Sequence, residues 1–281
     1  MKVDYSSLCT INGQMETKVP ITDRGLAYGH GVFETIRISA GHSSLLDLHM
    51  SRLINGAKIL GIPIDKTSIE TYFYDLIKLS PSEGIIKIII TAGSGQRGYA
   101  YSKPVDTCYI MQWFPIKPIP LCDKRQGVAL HKCKYRLPYS PILGGLKHLN
   151  RLDQIIARAE WSDEFYDGLM LDQDDNIIEC TSNNIFIFKN QSWITPKTDQ
   201  CGVSGVMREY LINILLPSAG FKIKEVNLNM DAFLLADEVF ICNSINGIIP
   251  VVSVENLCKF PLGEETKRIN SKLCEKFSCY R

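Results

Sequence analysis

The sequence predicts an α+β fold built from two domains with a cleft between them. Strand-like segments outnumber those that a simple alternation of strands and helices would contain. Three prolines within residues 114–120 favour an extended connection at that point. With 281 residues, of which 45% are hydrophobic, the chain can form two moderate cores. We therefore expect a small α/β domain at 1–114, a proline-rich linker at 115–121 and a larger domain at 122–281.

In the first domain, three segments have the composition of strands and two have helical periodicity. Strands are expected at 32–38, 85–92 and 106–114, the last two because they are largely apolar. A helix is expected at 46–60, where apolar residues recur every three to four positions, and a second helix at 67–79. This mixture indicates a small α/β domain.

The second domain is expected to contain more strands than helices. Residues 168–172 and 177–179 flank a polar stretch, which predicts a hairpin. A helix is expected at 149–161, with apolar residues along one side: Leu149, Leu152, Ile155, Ile156 and Ala159. The remaining elements are strands at 126–135, 185–188 and 238–244 and a helix at 206–216.

Composition and charge argue against several classes of function. The formal net charge is +1 and the charged residues are interspersed, so no basic stripe predicts a nucleic-acid partner. No apolar run approaches the ~18–20 residues of a membrane-spanning helix, and residues 1–13 lack the apolar core of a signal peptide. The ten cysteines lack metal-ligand spacing, so we predict no metal site and reduced thiols in the cytoplasm.

An amine, a carboxylate and a glycine-rich turn follow one another along the second half of the chain. Lys147 lies in an apolar, glycine-containing segment, Glu179 ends an apolar strand, and residues 202–208 precede a helix. This order suits pyridoxal phosphate: the amine forms a Schiff base, the carboxylate keeps the ring nitrogen protonated and the turn receives the phosphate. Taken singly, each feature has an ordinary alternative. Lys147 also fits a surface lysine, Glu179 fits an acid in a turn or a helix cap, and residues 202–208 fit a common glycine turn before a helix.

Two arginines are further candidates for anion binding. Arg52 can supply a cation for a phosphate, although a solvated charge on the helix at 46–60 is the alternative. Arg97 lies between glycines in the loop 93–99 and offers a forked set of donors for a carboxylate. The same loop also fits a flexible turn with an exposed arginine.

Taken together, these segments resemble the fold-type IV pyridoxal-phosphate enzymes, a group that contains branched-chain and D-amino-acid aminotransferases and 4-amino-4-deoxychorismate lyases. The resemblance spans nearly the whole chain and rests on Asp23 to Glu34, His49 to Leu53, Lys147, Glu179 to Phe186, Gly205 to Arg208, Ala236 to Ser244, and Pro250 with Val251. It implies a two-domain fold like that of D-amino-acid aminotransferase, with a small α/β domain and a larger pseudo-barrel domain. It also implies a homodimer.

The resemblance implies roles for individual residues. Lys147 would carry the cofactor as a Schiff base and move protons, and Glu179 would contact the pyridine nitrogen. The implied phosphate ligands are Arg52, the backbone of Val206 and Met207, and the Ser244 hydroxyl; the implied ring contact is Val203. Arg97, with Tyr28 or Tyr99, would bind the carboxylates of the substrate.

Within the group, Gly145–Leu152 and Gly95–Tyr99 are similar to the lyase branch. The implied activity is a carbon–oxygen lyase that converts aminodeoxychorismate to 4-aminobenzoate and pyruvate for folate biosynthesis. A branched-chain or D-amino-acid aminotransferase on the same scaffold is the alternative. Residues 33–35 occur in both branches and do not discriminate between them. His30 stands where relatives commonly have aspartate, so we expect different hydrogen bonding in that turn.

Overall fold

The computed structural model describes residues 8–101, 103–116 and 126–281. These residues divide into two compact units. Unit 1 comprises the described residues of Met1–Lys117 together with Leu146–Asn150, and unit 2 comprises those of Pro118–Gly145 and Arg151–Arg281. Of the expected linker at 115–121, residues 117–121 lie outside the described residues.

Unit 1 is an antiparallel sheet with helices packed against it. Its elements are β1 (Cys9–Ile11), β2 (Gln14–Met15), α1 (Arg24–Tyr28), β3 (Gly31–Ile38), α2 (Leu46–Ile59), α3 (Lys66–Leu79), β4 (Gly84–Thr91) and β5 (Cys108–Phe114). The five strands of this described part follow the order β2-β1-β5-β4-β3, so β3 lies at one edge. The expected strands and helices of the first domain are therefore confirmed to within two residues at their ends.

The core of unit 1 forms because apolar side chains repeat with the period of each element. On β4, alternate residues such as Ile86 and Ile88 are fully buried. They pack with Leu53 of α2 and Phe73 of α3, which recur at helical spacing on the inner helix faces. Asp65 caps α3 by accepting hydrogen bonds from two backbone N–H groups of its first turn.

Unit 2 is a larger mixed sheet with short helices. Its elements are β6 (Val128–Leu137), α4 (Leu152–Arg158), β7 (Asp167–Asp172), β8 (Ile177–Cys180), β9 (Asn184–Lys189), β10 (Ser192–Pro196), α5 (Val206–Tyr210), a π-helical turn (Leu211–Leu215), α6 (Leu216–Ser218), β11 (Lys222–Val226), α7 (Met230–Leu234), β12 (Glu238–Asn243), β13 (Gly247–Val254), β14 (Cys258–Lys259), α8 (Glu264–Lys276) and a 3₁₀ turn (Ser278–Tyr280). Within the described residues, nine strands form one sheet in the order β11-β10-β9-β12-β13-β6-β7-β8, and β14 pairs with β13.

Helix α4 differs from the helix expected at 149–161. It begins only at Leu152, because the preceding residues are extended and pair with the free edge of β3. Phe33 N–H donates to the Lys147 carbonyl oxygen over 3.0 Å, and Leu149 N–H donates to the Gly31 carbonyl oxygen over 3.0 Å. These long-range hydrogen bonds override the local helical pattern of 149–151. The apolar side of α4 is also largely exposed, with Leu152 68% and Ile155 62% accessible.

No helix in the described ranges combines the length and apolar character needed to cross a bilayer.

Candidate active site

Lys147 lies in the segment that extends the edge of the unit 1 sheet. Its main chain is fixed by the hydrogen bond from Phe33, and its ammonium nitrogen Nζ lies 4.3 Å from the centroid of the Phe33 ring. A cation over an aromatic face is attracted by the ring quadrupole. Strand β3 therefore positions both ends of this lysine, and the side chain is half-buried.

Arg52 forms part of a buried charged cluster next to this segment. Its Nε and Nη2 atoms each donate a 2.6 Å hydrogen bond to the two carboxylate oxygens of Glu34, which is fully buried on β3. His49 Nδ1 lies 2.6 Å from the same carboxylate and donates to it, because an ionised carboxylate only accepts. Burial by itself would raise the pKa of Glu34, but the nearby Arg52 and the His49 hydrogen bond lower it to about 2. Burial also lowers the pKa of His49.

The loop 93–99 of unit 1 contains Arg97 and Tyr99 and is hydrogen-bonded to Tyr28 of α1, the third expected substrate ligand. The Tyr28 hydroxyl oxygen accepts a 2.8 Å hydrogen bond from Gly98 N–H, and the Tyr28 and Tyr99 rings meet edge to face at 5.8 Å. Tyr99 is 87% exposed, and Arg97 is exposed in the same loop. The side chains of Arg97 and Tyr99 are thus exposed on a loop whose backbone is hydrogen-bonded to Tyr28 of α1.

In unit 2, Glu179 ends strand β8 as a buried carboxylate, only 4% exposed. One carboxylate oxygen accepts a 2.9 Å hydrogen bond from Val203 N–H, and the other accepts a 3.4 Å hydrogen bond from Gln154 Nε2. Both oxygens of this buried carboxylate therefore have a hydrogen-bond donor. Glu179 and Val203, two of the predicted cofactor ligands, are thus in direct contact. Gln154 is an additional partner of Glu179 that the sequence pattern did not indicate.

The glycine turn at residues 202–205 has no space for a side chain at Gly205. Ser204 N–H donates to the Gly145 carbonyl oxygen over 3.0 Å, and Gly145 N–H donates to the Gly202 carbonyl oxygen over 3.1 Å. A Cβ atom at Gly205 would lie 1.9 Å from Asn184 Oδ1. Asn184 Nδ2 in turn donates to the Val203 carbonyl oxygen over 2.9 Å. The turn is thus in contact with Gly145 and with Asn184 at the start of strand β9.

Helix α5 starts directly from this turn. Gly205 occupies its N-cap position, and no side chain caps the first backbone N–H groups. Val206 and Met207, the first two helical residues, are buried. The uncapped first turn of a helix is a suitable place for an anion, because N–H groups and the helix dipole both point there.

Ser244 lies at the end of strand β12 in unit 2. Its carbonyl oxygen accepts a 2.9 Å hydrogen bond from the Tyr280 hydroxyl in the C-terminal 3₁₀ turn. The main chain at the predicted phosphate ligand is therefore held by a residue near the end of the chain.

Comparison with known proteins gives the family. The sequence profile of class IV aminotransferases matches residues 31–254, which is well over half of the chain. The chain belongs to this family.

Individual members of the class IV family are similar over nearly the full length. An aminodeoxychorismate lyase from Vibrio harveyi is 34% identical over 268 residues, covering 94% of this chain and 98% of the relative. The crystal structure of 4-amino-4-deoxychorismate lyase from Pseudomonas aeruginosa matches with a TM-score of 0.92 and 36% identity, covering 96% of this chain and 99% of that one. A branched-chain amino acid aminotransferase from Escherichia coli matches with a TM-score of 0.83 and 25% identity, covering 98% and 94%.

These matches confirm the predicted resemblance to fold-type IV enzymes and to aminodeoxychorismate lyases among them. They also confirm the predicted α+β fold class, with a smaller sheet domain and a larger curled sheet domain. Members of this enzyme family depend on pyridoxal phosphate, so membership implies the predicted cofactor.

Several residues of the class IV site were not indicated by the sequence patterns. Glu34 binds both Arg52 and His49, and Gln154 binds Glu179; each of these bonds joins residues at least 15 positions apart in the sequence. An acid in the alternating series of the apolar residues Val32 and Ile36 of β3 was a local signal for Glu34. Such a residue is expected to be paired when buried.

Proposed function

We propose that this protein is a pyridoxal-phosphate-dependent aminodeoxychorismate lyase, which forms 4-aminobenzoate and pyruvate for folate biosynthesis. The observation that carries the proposal is the amine of Lys147, fixed at the edge of β3, in a chain that is 34% identical to a lyase over nearly its whole length. The backbone hydrogen bond fixes the position of this residue, which favours covalent attachment of an aldehyde to its neutral amine.

The chemical types of the residues that we assign to the cofactor suit its ring nitrogen and its phosphate. Glu179 is a buried carboxylate for the ring nitrogen, with Val203 beside it for the ring face. The uncapped start of α5, at Val206 and Met207, offers backbone donors for a phosphate. Arg52 and Ser244 are the further phosphate ligands that we assign.

When bound, the cofactor supplies an electron-withdrawing ring that stabilises negative charge on the substrate carbon next to the amine. The Lys147 amine removes the proton from the substrate ring carbon that bears nitrogen, and it returns a proton as the enolpyruvyl group leaves as pyruvate. Glu179 would hold the ring nitrogen of the cofactor, and its hydrogen bonds from Val203 and Gln154 hold the carboxylate in place. Arg97 binds a substrate carboxylate, with Tyr28 or Tyr99 beside it.

An aminotransferase is the second candidate, because the family also contains branched-chain aminotransferases of the same fold. The two activities differ in their co-substrates. A lyase needs no keto acid, whereas an aminotransferase converts one amino acid and one keto acid per cycle.

The test is to incubate the cofactor-loaded enzyme with aminodeoxychorismate and to measure 4-aminobenzoate and pyruvate with and without 2-oxoglutarate. We expect equal amounts of the two products at the same rate in both reactions. Absence of 4-aminobenzoate, together with keto-acid-dependent turnover of a branched-chain or D-amino acid, would establish the aminotransferase instead.

We also propose that the protein acts as a homodimer in the cytoplasm. The exposed apolar side of α4 supports the dimer, since large apolar patches are normally covered by a partner. Buried thiols such as Cys133 and Cys201, whose pKa burial raises to about 12, are compatible with a reducing compartment.

A further inference from the structure

Arg24, the first residue of α1, is a buried cation that the mechanism above does not use. Only 4% of the residue is exposed. Its Nη1 and Nη2 atoms donate to the carbonyl oxygens of Gly98 and Tyr99 over 3.0 and 3.1 Å. Burying a guanidinium is costly unless its donors are satisfied, so these bonds fix the loop backbone and the cation to each other.

His30 orients this guanidinium from the other side. Arg24 Nε donates to His30 Nδ1 over 3.3 Å, while His30 Nε2 lies 2.9 Å from the Leu60 carbonyl oxygen. A carbonyl oxygen only accepts, so the ring carries its proton on Nε2 and leaves Nδ1 free to accept from the arginine. The neutral Nε2–H form of histidine is therefore the one that the contacts require.

Aromatic rings complete the surroundings of Arg24. Its guanidinium carbon lies 4.8 Å from the centroid of the Tyr28 ring and 5.3 Å from that of Tyr101. Among the described residues, the atoms that accept its hydrogen bonds are all uncharged. The orientation of the cation thus depends on directional bonds to His30 and the loop rather than on a carboxylate.

The loop that Arg24 holds is also attached at its other end. Arg24 N–H donates to the Gly93 carbonyl oxygen over 2.8 Å, and Gly95 N–H donates to the Thr22 carbonyl oxygen over 3.0 Å. The side chains of Arg97 and Tyr99 are exposed on this loop, as are those of Ser94 and Gln96. A loop with a fixed backbone and exposed polar side chains loses little conformational entropy when a ligand binds.

We propose that Arg24, oriented by His30, is the positioning residue that holds the loop 93–99 so that Arg97 is ready to receive a carboxylate of the substrate. This inference rests on the proposed lyase function for the identity of that substrate. Arg24 does not contact the reacting atoms, and its effect is on substrate binding.

Two substitutions of His30 separate the roles of its ring nitrogens. His30→Asn places a side-chain oxygen near the position of Nδ1, so it keeps the acceptor for Arg24. His30→Gln reaches the position of Nε2 and keeps a donor for the Leu60 carbonyl oxygen, but it leaves Arg24 without that acceptor. We expect His30→Gln and Arg24→Lys to raise KM for aminodeoxychorismate about tenfold with kcat nearly unchanged, whereas His30→Asn stays within about threefold of the wild type.

A second readout does not depend on turnover. Trypsin cleaves after arginine, and the bond after Arg97 is exposed in a loop that is held by Arg24. We expect cleavage at this bond in the cofactor-loaded protein to be about tenfold faster in His30→Gln and Arg24→Lys than in wild type and His30→Asn. Mass spectrometry of the fragments identifies the bond that is cut.

The two readouts distinguish the possible failures. If the wild type does not turn over aminodeoxychorismate but the cleavage pattern holds, the lyase function is wrong and the positioning of the loop stands. If His30→Gln and Arg24→Lys leave both KM and cleavage unchanged, or if they lower kcat alone, Arg24 does not position the loop. Equal effects of His30→Asn and His30→Gln would overturn the assigned role of Nδ1.

Discussion

At the scale of single residues, the position of Lys147 results from its backbone as much as from its side chain. The extended segment around it completes the edge of the unit 1 sheet, and the Phe33 ring lies beside the amine. A lysine on a free loop would sample many rotamers, and fixing it would cost side-chain entropy on each substrate encounter. In this fold the backbone of Lys147 is already fixed by its hydrogen bond with Phe33, so only the side chain remains to be ordered.

Replacing Lys147 by alanine should abolish both cofactor attachment and proton transfer. We expect turnover to fall by at least about 10³-fold, and the visible absorbance of attached cofactor to disappear. The matched control is Lys147→Arg, which keeps a cation over Phe33 but cannot form an imine. Turnover, absorbance spectra and borohydride reduction are the measurements. A Lys147→Ala enzyme with wild-type turnover would refute the proposed role.

At the scale of elements, the start of α5 depends on the absence of a side chain at Gly205. The backbone there has φ −70°, which any residue can adopt, so glycine is required for space and not for conformation. The atom that limits this space is Asn184 Oδ1 on the neighbouring strand β9. A side chain at position 205 is therefore incompatible with the present position of the Asn184 side chain.

Gly205→Ala should weaken cofactor binding because its Cβ displaces Asn184 and the turn. Overpacking of this kind costs about 1–3 kcal/mol, which, if it falls on the cofactor-bound state, corresponds to a loss of about 5- to 150-fold in affinity for pyridoxal phosphate. The double variant Gly205→Ala with Asn184→Ala removes the clash and should recover part of the affinity, and Asn184→Ala alone is the control. Titration followed by absorbance measures the affinity. Wild-type affinity in Gly205→Ala would show that the turn does not contact the cofactor.

At the scale of the whole molecule, the buried cluster of Glu34, His49 and Arg52 links folding to pH. The Glu34 pKa is about 2 in the folded protein, below the ordinary carboxyl value of the unfolded chain. A depressed carboxyl pKa stabilises the fold above the unfolded value, and this contribution is lost as the pH falls from about 4.5 to about 2. The contribution is on the order of 3 kcal/mol.

Glu34→Gln should therefore lower the free energy of unfolding at pH 7 by a few kcal/mol, since Arg52 would keep its charge without a carboxylate. The variant should also show a weaker loss of stability between pH 4.5 and pH 2 than the wild type. Urea unfolding at a series of pH values measures both effects. A variant with the same pH dependence as the wild type would exclude Glu34 as the group responsible.

Self-association is a second property of the whole molecule. The exposed side chains Leu152, Ile155 and Ile156 form an apolar face on α4, and we expect it to contribute to the contact in the proposed dimer. Ile155→Lys should shift the protein toward monomer, because a charge would be buried in that contact. Leu79→Lys, at an exposed apolar position of α3, is the matched control. Analytical ultracentrifugation decides between the outcomes: an unchanged dimer in Ile155→Lys would place the contact elsewhere.

Local patterns in the sequence predicted much of the fold and the order of the site residues. Strand β3 and helices α2 and α3 follow from apolar periodicity, because each has one mainly buried face, whereas β4 and β5 follow from largely apolar runs. Strand β11 is mostly polar, and β13 contains Pro250 in its interior. These features weaken the local strand signal, although β13 is otherwise apolar, and pairing with neighbouring strands stabilises both elements.

The sequence by itself determined that an amine, a carboxylate and a glycine turn occur in the order that a pyridoxal-phosphate enzyme uses, because residue identity and spacing are local properties. Only the tertiary structure decided that 147–149 is extended along β3, that Glu34 pairs with Arg52 and that Arg24 is buried behind the loop 93–99. Each of these contacts joins residues far apart in the chain. Hydrogen bonding and burial between such residues depend on how the elements pack, and no short window of sequence contains that information.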